Sequence, residues 1–254
     1  MLALERRNLI LEKLQTEKRV VVSELSPLFG VSEETIRRDL DKLEKEGFAI
    51  KSYGGAVIND DVSIELPFNI RKNQNVVEKQ KIAEIAASLV EDGDRIFLDA
   101  SRTAVFVAKA LKDKKKLTVI TNSMEVLLEL ADLTTWNLIS TGGRMMEGHL
   151  AFCGSRTEEV IRSHYVDKVI FSCKALDYNL GMMESQEAFA MTKKAMLASG
   201  RKKILIIDNI KFDQTAFSVG GNLRDVDVVV CDKKPSEKWM SHLEEMSIEC
   251  KYPK

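Results

Sequence analysis

The chain has 254 residues, 44% hydrophobic and 30% charged, and its 38 Lys/Arg nearly balance 39 Asp/Glu for a net charge of −1. This is the make-up of an ordinary globular protein and excludes a polycation that holds nucleic acid by bulk charge. No run approaches the ~20 uninterrupted apolar residues of a membrane-spanning helix, and charges throughout MLALERRNLILEKL argue against a signal peptide, so a cytoplasmic location with no membrane partner is expected.

The length fits one large α/β domain or a small module joined to a medium one. Leu4, Ile10, Leu11 and Leu14 recur at helical spacing and predict a first helix to about Gln15. Val20–Val22 reads as a short strand or a buried connector, and Ser23 as the N-cap of a helix carrying Leu25, Leu28 and Phe29, with Pro27 inside it. Gly30 ends that helix. Ser32 then caps a third, with Glu33 and Glu34 in the first turn, where the helix dipole favours negative charge. Its buried stripe is Ile36, Leu40 and Leu43, and Gly47 stops it. Two short extended runs around Gly54-Gly55 predict a hairpin. The order is that of a winged helix-turn-helix over residues 1–58.

Residues 59–75 are polar, contain Pro67 and have no sustained period, which marks a linker. In 76–254, helical runs at about 76–91, 103–112, 123–131, 155–163, 186–199 and 236–245 alternate with apolar runs. These are Arg95–Leu98, Leu117–Ile120, Trp136–Ile139, Val169–Phe171, Ile204–Ile207 and Val226–Val230. Such alternation predicts a doubly wound, mostly parallel sheet. The expected fold class is α/β: a winged helix-turn-helix followed by a Rossmann-like domain. Cys153, Cys173, Cys231 and Cys250 form no C-x-x-C pair, and His149, His164 and His242 lack ligand spacing, so reduced thiols, no metal and no cofactor are expected. Cys173 ends an apolar run and reads as core, and Met182-Met183 and Met145-Met146 as pliable packing.

Residues 1–57 carry ten Lys/Arg and ten Asp/Glu, so DNA binding must rest on placement of charge. Ser32, Glu33, Glu34, Thr35, Arg37 and Arg38 lie outward near the start of the third helix. Arginine bonds guanine bidentately, and threonine serves a thymine methyl or a phosphate. Lys51, Tyr53 and Gly54 are placed to meet the backbone from the hairpin. An isolated Arg-Arg pair more often merely solvates a helix, here against Glu33, Glu34 and Asp41; the ordered succession around it favours recognition.

The run Arg19–Leu25, then Phe29 to Leu40, Leu43-Glu44 and Gly47, closely resembles the DNA-binding signature of DeoR/GlpR-type bacterial transcription regulators. Tyr53-Gly54-Gly55-Ala56-Val57 resembles their wing, with Tyr53 where histidine is usual. Further on, Glu91–Asp94, Phe97–Asp99, Thr121–Ser123, Thr141–Gly143, Cys153-Gly154, Asp167-Lys168, Phe171–Lys174, Lys193–Met196 and Asp208 with Lys211-Phe212 resemble the sensor domain of the same regulators. That resemblance implies a fold related to sugar-phosphate isomerases, an operator as DNA partner, repression relieved by ligand, and a phosphorylated sugar or related metabolite as effector. It also implies a homodimer or homotetramer.

Ligands of doubly wound sheets sit beyond the strand carboxyl ends. Hydroxyls, helix-start N–H groups and basic side chains there are the parts of a phosphate cradle. Asp99, Ser101, Arg102, Thr103, Thr121, Asn122, Ser123, Gly142, Gly143, Lys193, Asp208 and Lys211 form the expected effector site. No nucleotide-binding glycine fingerprint occurs. The loop Asp99–Thr103 departs from the family's D-S-G-T-T, losing a glycine and gaining Arg102. Phe189 and Met183 stand where glutamate and threonine are usual. The alternative, an isomerase or deaminase fused to a DNA-binding module with Asp99 or Asp208 as acid/base, is weakened by Phe189. It also leaves the winged helix unexplained.

Overall fold

The computed structural model describes residues 1–59 and 75–253, and the chain divides into two compact units, Met1–Gln74 and Asn75–Lys254. Of the linker expected at 59–75, residues 60–74 lie outside the described residues.

The first unit contains α1 (Ala3–Glu17), β1 (Arg19–Val21), α2 (Val22–Phe29), α3 (Glu33–Lys45), β2 (Ala49–Ser52) and β3 (Gly55–Ile58). The strands form a sheet in the order β1-β3-β2, all antiparallel. Ile10, Leu11 and Leu14 of α1, Leu25 of α2 and Ile36, Leu40 and Leu43 of α3 make one core with Val20 and Ala56. Two expectations are corrected. Ser23 is not an N-cap: α2 starts at Val22 directly from β1, and the Val22 N–H is satisfied by Gly54 O at 2.8 Å, so no side-chain cap is needed. Leu4 and Leu28, assigned to apolar stripes, are 64% and 61% exposed. Pro27 falls close to the end of α2, where Gly30 takes the left-handed conformation and Val31 N–H bonds Ser26 O. A proline there costs less than one in a long helix interior.

The second unit is built on a seven-stranded parallel sheet. Its strands are β4 (Arg95–Leu98), β5 (Thr118–Thr121), β6 (Asn137–Ser140), β9 (Val166–Phe171), β12 (Gly200–Ile207), β14 (Val228–Cys231) and β15 (Glu249–Lys251). They lie in the order β15-β14-β12-β9-β4-β5-β6. Residues alternate between the two faces, as pleating requires. Ile96, Leu98, Ile170, Ile204 and Ile206 pack with α4 (Val76–Ser88), α5 (Arg102–Ala110) and α6 (Met124–Leu130). Phe97, Val169, Phe171, Leu205 and Ile207 pack with α7 (Ser155–Arg162), α8 (Glu187–Ala198) and α9 (Glu237–Glu245). The sheet is doubly wound, as expected.

Small antiparallel additions were not anticipated. These are a hairpin of β7 (Arg144–Met146) with β8 (Ala151–Cys153), and a sheet of β10 (Ala175–Asp177), β11 (Gly181–Glu184) and β13 (Ser218–Gly221). Cys173, Met182 and Met183 are buried as expected, whereas Met145 is 38% exposed.

Candidate functional site

The first candidate surface is α3 with its hairpin. Ser32 caps α3, its side chain accepting from the Thr35 N–H, and Oγ lies 3.0 Å from Thr35 Oγ1. Arg37 and Arg38 are exposed and bond Glu33 (2.5 Å) and Glu34 (3.2 Å), each one turn back along the helix. These are surface pairs that cost little to exchange for phosphate or base contacts. Asp41 pairs instead with Lys51 Nζ, and the Lys51 N–H donates to Glu44 at 2.9 Å. Lys51 therefore ties the hairpin to α3 in the unbound chain. Tyr53, at the hairpin tip, is fully exposed beside Gly54, whose φ is +79°.

On the opposite side of α3, Asp39 is buried and bonds Arg6 Nε of α1 at 2.6 Å, with Arg7 Nη1 3.8 Å away. This buried pair, which fixes α3 against α1, was missed. An aspartate directly after an Arg-Arg pair and at i+3 from Ile36 was the available signal.

The second candidate site lies where the strand order reverses, between β4 and β9. In open parallel sheets the crevice outside such a point is the ordinary ligand position. Asp99 leaves β4 buried: Oδ2 accepts from Lys193 Nζ at 2.7 Å and from the Ser172 N–H at 2.9 Å, and Oδ1 from the Ser101 N–H at 3.1 Å. Lys193, on α8, also reaches Glu184 Oε1 at 3.2 Å and the Ser172 carbonyl. Lys211, in the turn after β12, donates to Ser172 Oγ at 3.1 Å and stands 3.6 Å from Asp208. Burial alone would lower the Lys193 pKa, but the charges of Asp99 and Glu184 outweigh it and raise it. Burial pushes the Glu184 pKa up despite Lys193. The Cys173 thiol nearby is pushed up to about 12 by burial.

Of the expected residues, Asp99, Ser101, Lys193, Asp208 and Lys211 are thus brought together, with Arg102 opening α5 behind its Ser101 cap and Thr103 buried beside it. The others serve turns. Thr121 Oγ1 accepts from the Ser123 N–H, and Ser123 caps α6. Asn122 Nδ2 holds Phe152 O at 2.9 Å, which leaves its buried Oδ1 without a hydrogen bond. Gly142 and Gly143, at φ +56° and +114°, pack against α7. Thr157 Oγ1 donates to Gly142 O at 2.7 Å, and a Cβ on Gly143 would come within 2.1 Å of Thr157 Oγ1.

Sequence reasoning missed Ser172 and Glu184. Phe189 does occupy the helix turn before Lys193, but β11 delivers a carboxylate, Glu184, to that lysine. The signal was a glutamate closing the apolar run Gly181-Met182-Met183. Phe189 instead packs on His149, ring centroids 4.7 Å apart, and His149 is half-buried.

A winged helix-turn-helix followed by a doubly wound domain with a buried charged cluster at the strand switch point is the architecture of a DNA-binding regulator with a sensor domain. Residues 6–62 match the DeoR-like helix-turn-helix domain and residues 74–233 the DeoR C terminal sensor domain. The chain belongs to the DeoR family of transcription regulators. It is 44% identical over 232 residues to the uncharacterized HTH-type transcriptional regulator YulB of Bacillus subtilis, covering 91% of this chain and 90% of that one. The transcriptional repressor AccR of Agrobacterium fabrum is 33% identical, with 90% and 89% covered. The HTH-type transcriptional repressor GlcR of Bacillus subtilis is 31% identical, with 96% and 94% covered. No described helix is long and apolar enough to cross a membrane.

Proposed function

We propose that the protein is a cytoplasmic repressor of a carbohydrate-metabolism operon, released from its operator by a phosphorylated sugar or related metabolite. The cluster of Asp99, Ser172, Glu184, Lys193, Asp208 and Lys211 at the strand switch point carries this reading. It offers cationic groups for a phosphate, and carboxylates that accept from sugar hydroxyls. Arg102 and the N–H groups at the start of α5 add to the anion side.

On the DNA side the reading assigns Ser32, Glu34, Thr35, Arg37 and Arg38 to groove and phosphate contacts. Lys51, Tyr53 and Gly54 serve as the wing. One recognition helix buries little DNA surface, so the protein acts as a homodimer or homotetramer on a two-fold operator. Thr121, Asn122, Ser123, Gly142 and Gly143 shape the effector site through its loops, and the buried Asn122 Oδ1 is free to accept from a ligand hydroxyl.

The test is a thermal-shift panel of hexose, pentose and polyol phosphates on the full chain, followed by operator release with any hit. A phosphorylated compound that stabilises wild type, but not Arg102→Ala or Lys211→Ala, supports the reading. Stabilisation by unphosphorylated sugars alone, or equal responses from the variants, refutes it.

A further inference from the structure

Each cation assigned to the DNA is held by a carboxylate of α3 before any DNA arrives. Arg37 Nη2 bonds Glu33 Oε2 at 2.5 Å, Arg38 Nε bonds Glu34 Oε1 at 3.2 Å, and Lys51 Nζ of the hairpin bonds Asp41. Glu33, Arg37 and Asp41 recur at four-residue intervals, which sets them in one row along the helix. Ile36, Asp39, Leu40 and Leu43 are its buried residues. The row itself is open to solvent, with the Arg37 and Glu33 side chains 53% and 46% exposed. Pairs so exposed contribute little to holding a fold. Yet carboxylates on a surface that approaches phosphates repel them, so each one opposes the contact its partner is placed to make.

We propose that Glu33 is a specificity-determining residue, which holds Arg37 back from DNA that offers only phosphates. The inference rests on the proposed DNA contacts of α3 and deepens them. On a duplex of unrelated sequence, Arg37 exchanges its carboxylate for a phosphate and so trades one ionic contact for another. Glu33 is then left bare among phosphates, which weakens that complex further. On the operator, base edges come within reach. A guanidinium carries five donors, so Arg37 bonds guanine O6 and N7 while one N–H stays on Glu33, and a cytosine amino group can donate to the carboxylate itself. Glu33 thus weakens binding to every duplex, and least where the bases fit. Discrimination comes from this repulsive element as well as from the attractive one. Glu34 stands to Arg38 as Glu33 does to Arg37. Lys51 differs, because it lies on the hairpin and meets the backbone, which every duplex offers alike.

The plain alternative is that Glu33 only suits the positive start of α3, where a carboxylate is favoured whatever the helix binds. The experiment is anisotropy titration of the full chain, at one salt concentration, on an operator selected in vitro and on a random duplex of equal length. Glu33→Gln should bind the random duplex about two- to fivefold more tightly, the scale of one exposed ion pair. Its operator affinity rises by a smaller factor, so the ratio of the two affinities falls. Asp41→Asn is the contrast: it releases Lys51, raises both affinities by the same factor and leaves the ratio alone. If Glu33→Gln leaves random-duplex binding unchanged, or raises both affinities equally, Glu33 does not determine specificity. A fall in the ratio as large with Asp41→Asn would show removal of charge alone at work, and overturns the proposal too. The assignment of α3 fails separately, if folded Arg37→Ala binds the operator like wild type.

Discussion

Lys79 and Lys193 are both buried ammonium groups, and their surroundings drive them in opposite directions. Lys193 sits between Asp99 and Glu184 and keeps its proton more firmly than a free lysine. Removing it leaves two carboxylates buried without their cation; Lys193→Met should cost about 3–5 kcal/mol in urea unfolding. A loss below 1 kcal/mol would mean the pair is solvated. Lys79 has its folded pKa lowered from 10.5 to about 8. Between those values the unfolded chain holds a proton that the folded chain has released, so unfolding takes up protons and stability rises with pH across that window. Below about pH 8 both states are protonated and the full penalty applies, at most on the order of 3 kcal/mol. Wild type should therefore gain stability from pH 7.5 to 9.5 relative to Lys79→Met, and parallel pH profiles would contradict the lowered pKa. Asp99 and Asp208 with Lys211 were legible in the sequence because polar residues beyond an apolar run are conspicuous, and Lys193 only through the family resemblance. Glu184 and Ser172 also end apolar runs, but their roles show only when β11 and β9 are brought against Lys193 and Asp99.

At the scale of elements, α3 is fixed on three sides by different means. Ser32 caps its start, so Ser32→Ala should lower stability by about 1 kcal/mol in thermal or urea unfolding. An unchanged midpoint would show that the first turn is held otherwise. The Asp39–Arg6 pair locks α3 to α1, and Lys51 locks the hairpin to α3. Gly55 locks the hairpin to β1: a Cβ there would come within 2.0 Å of the Val20 carbonyl oxygen. Gly55→Ala must displace β3 from β1, which should loosen the wing, lower the melting temperature and weaken DNA binding even though Gly55 itself is buried.

The long helices and the central strands were readable from periodicity, because their burial is decided within each segment. Boundaries were less so. β12 begins at Gly200, not Ile204, since Arg201, Lys202 and Lys203 occupy the solvated end of a strand whose other end is buried. β15 holds only Glu249–Lys251 and exists because β14 offers it an edge, something no local pattern announces.

At the scale of the molecule, the first unit supplies an exposed helix with Arg37 and Arg38, and the second a buried charged cluster at the strand switch point. Charge balance along residues 1–57 means that affinity depends on the few cations that α3 and the wing present. Binding should weaken steeply with added salt, because phosphate contacts release counterions. The most direct test of the central claim is anisotropy titration of an operator selected in vitro, using the full chain with Arg37→Ala and Arg38→Ala. Each arginine that contacts a base should cost about 1–3 kcal/mol of operator affinity while the fold stays intact. Unchanged affinity in the folded double variant would contradict the assignment of α3 as the helix that reads DNA.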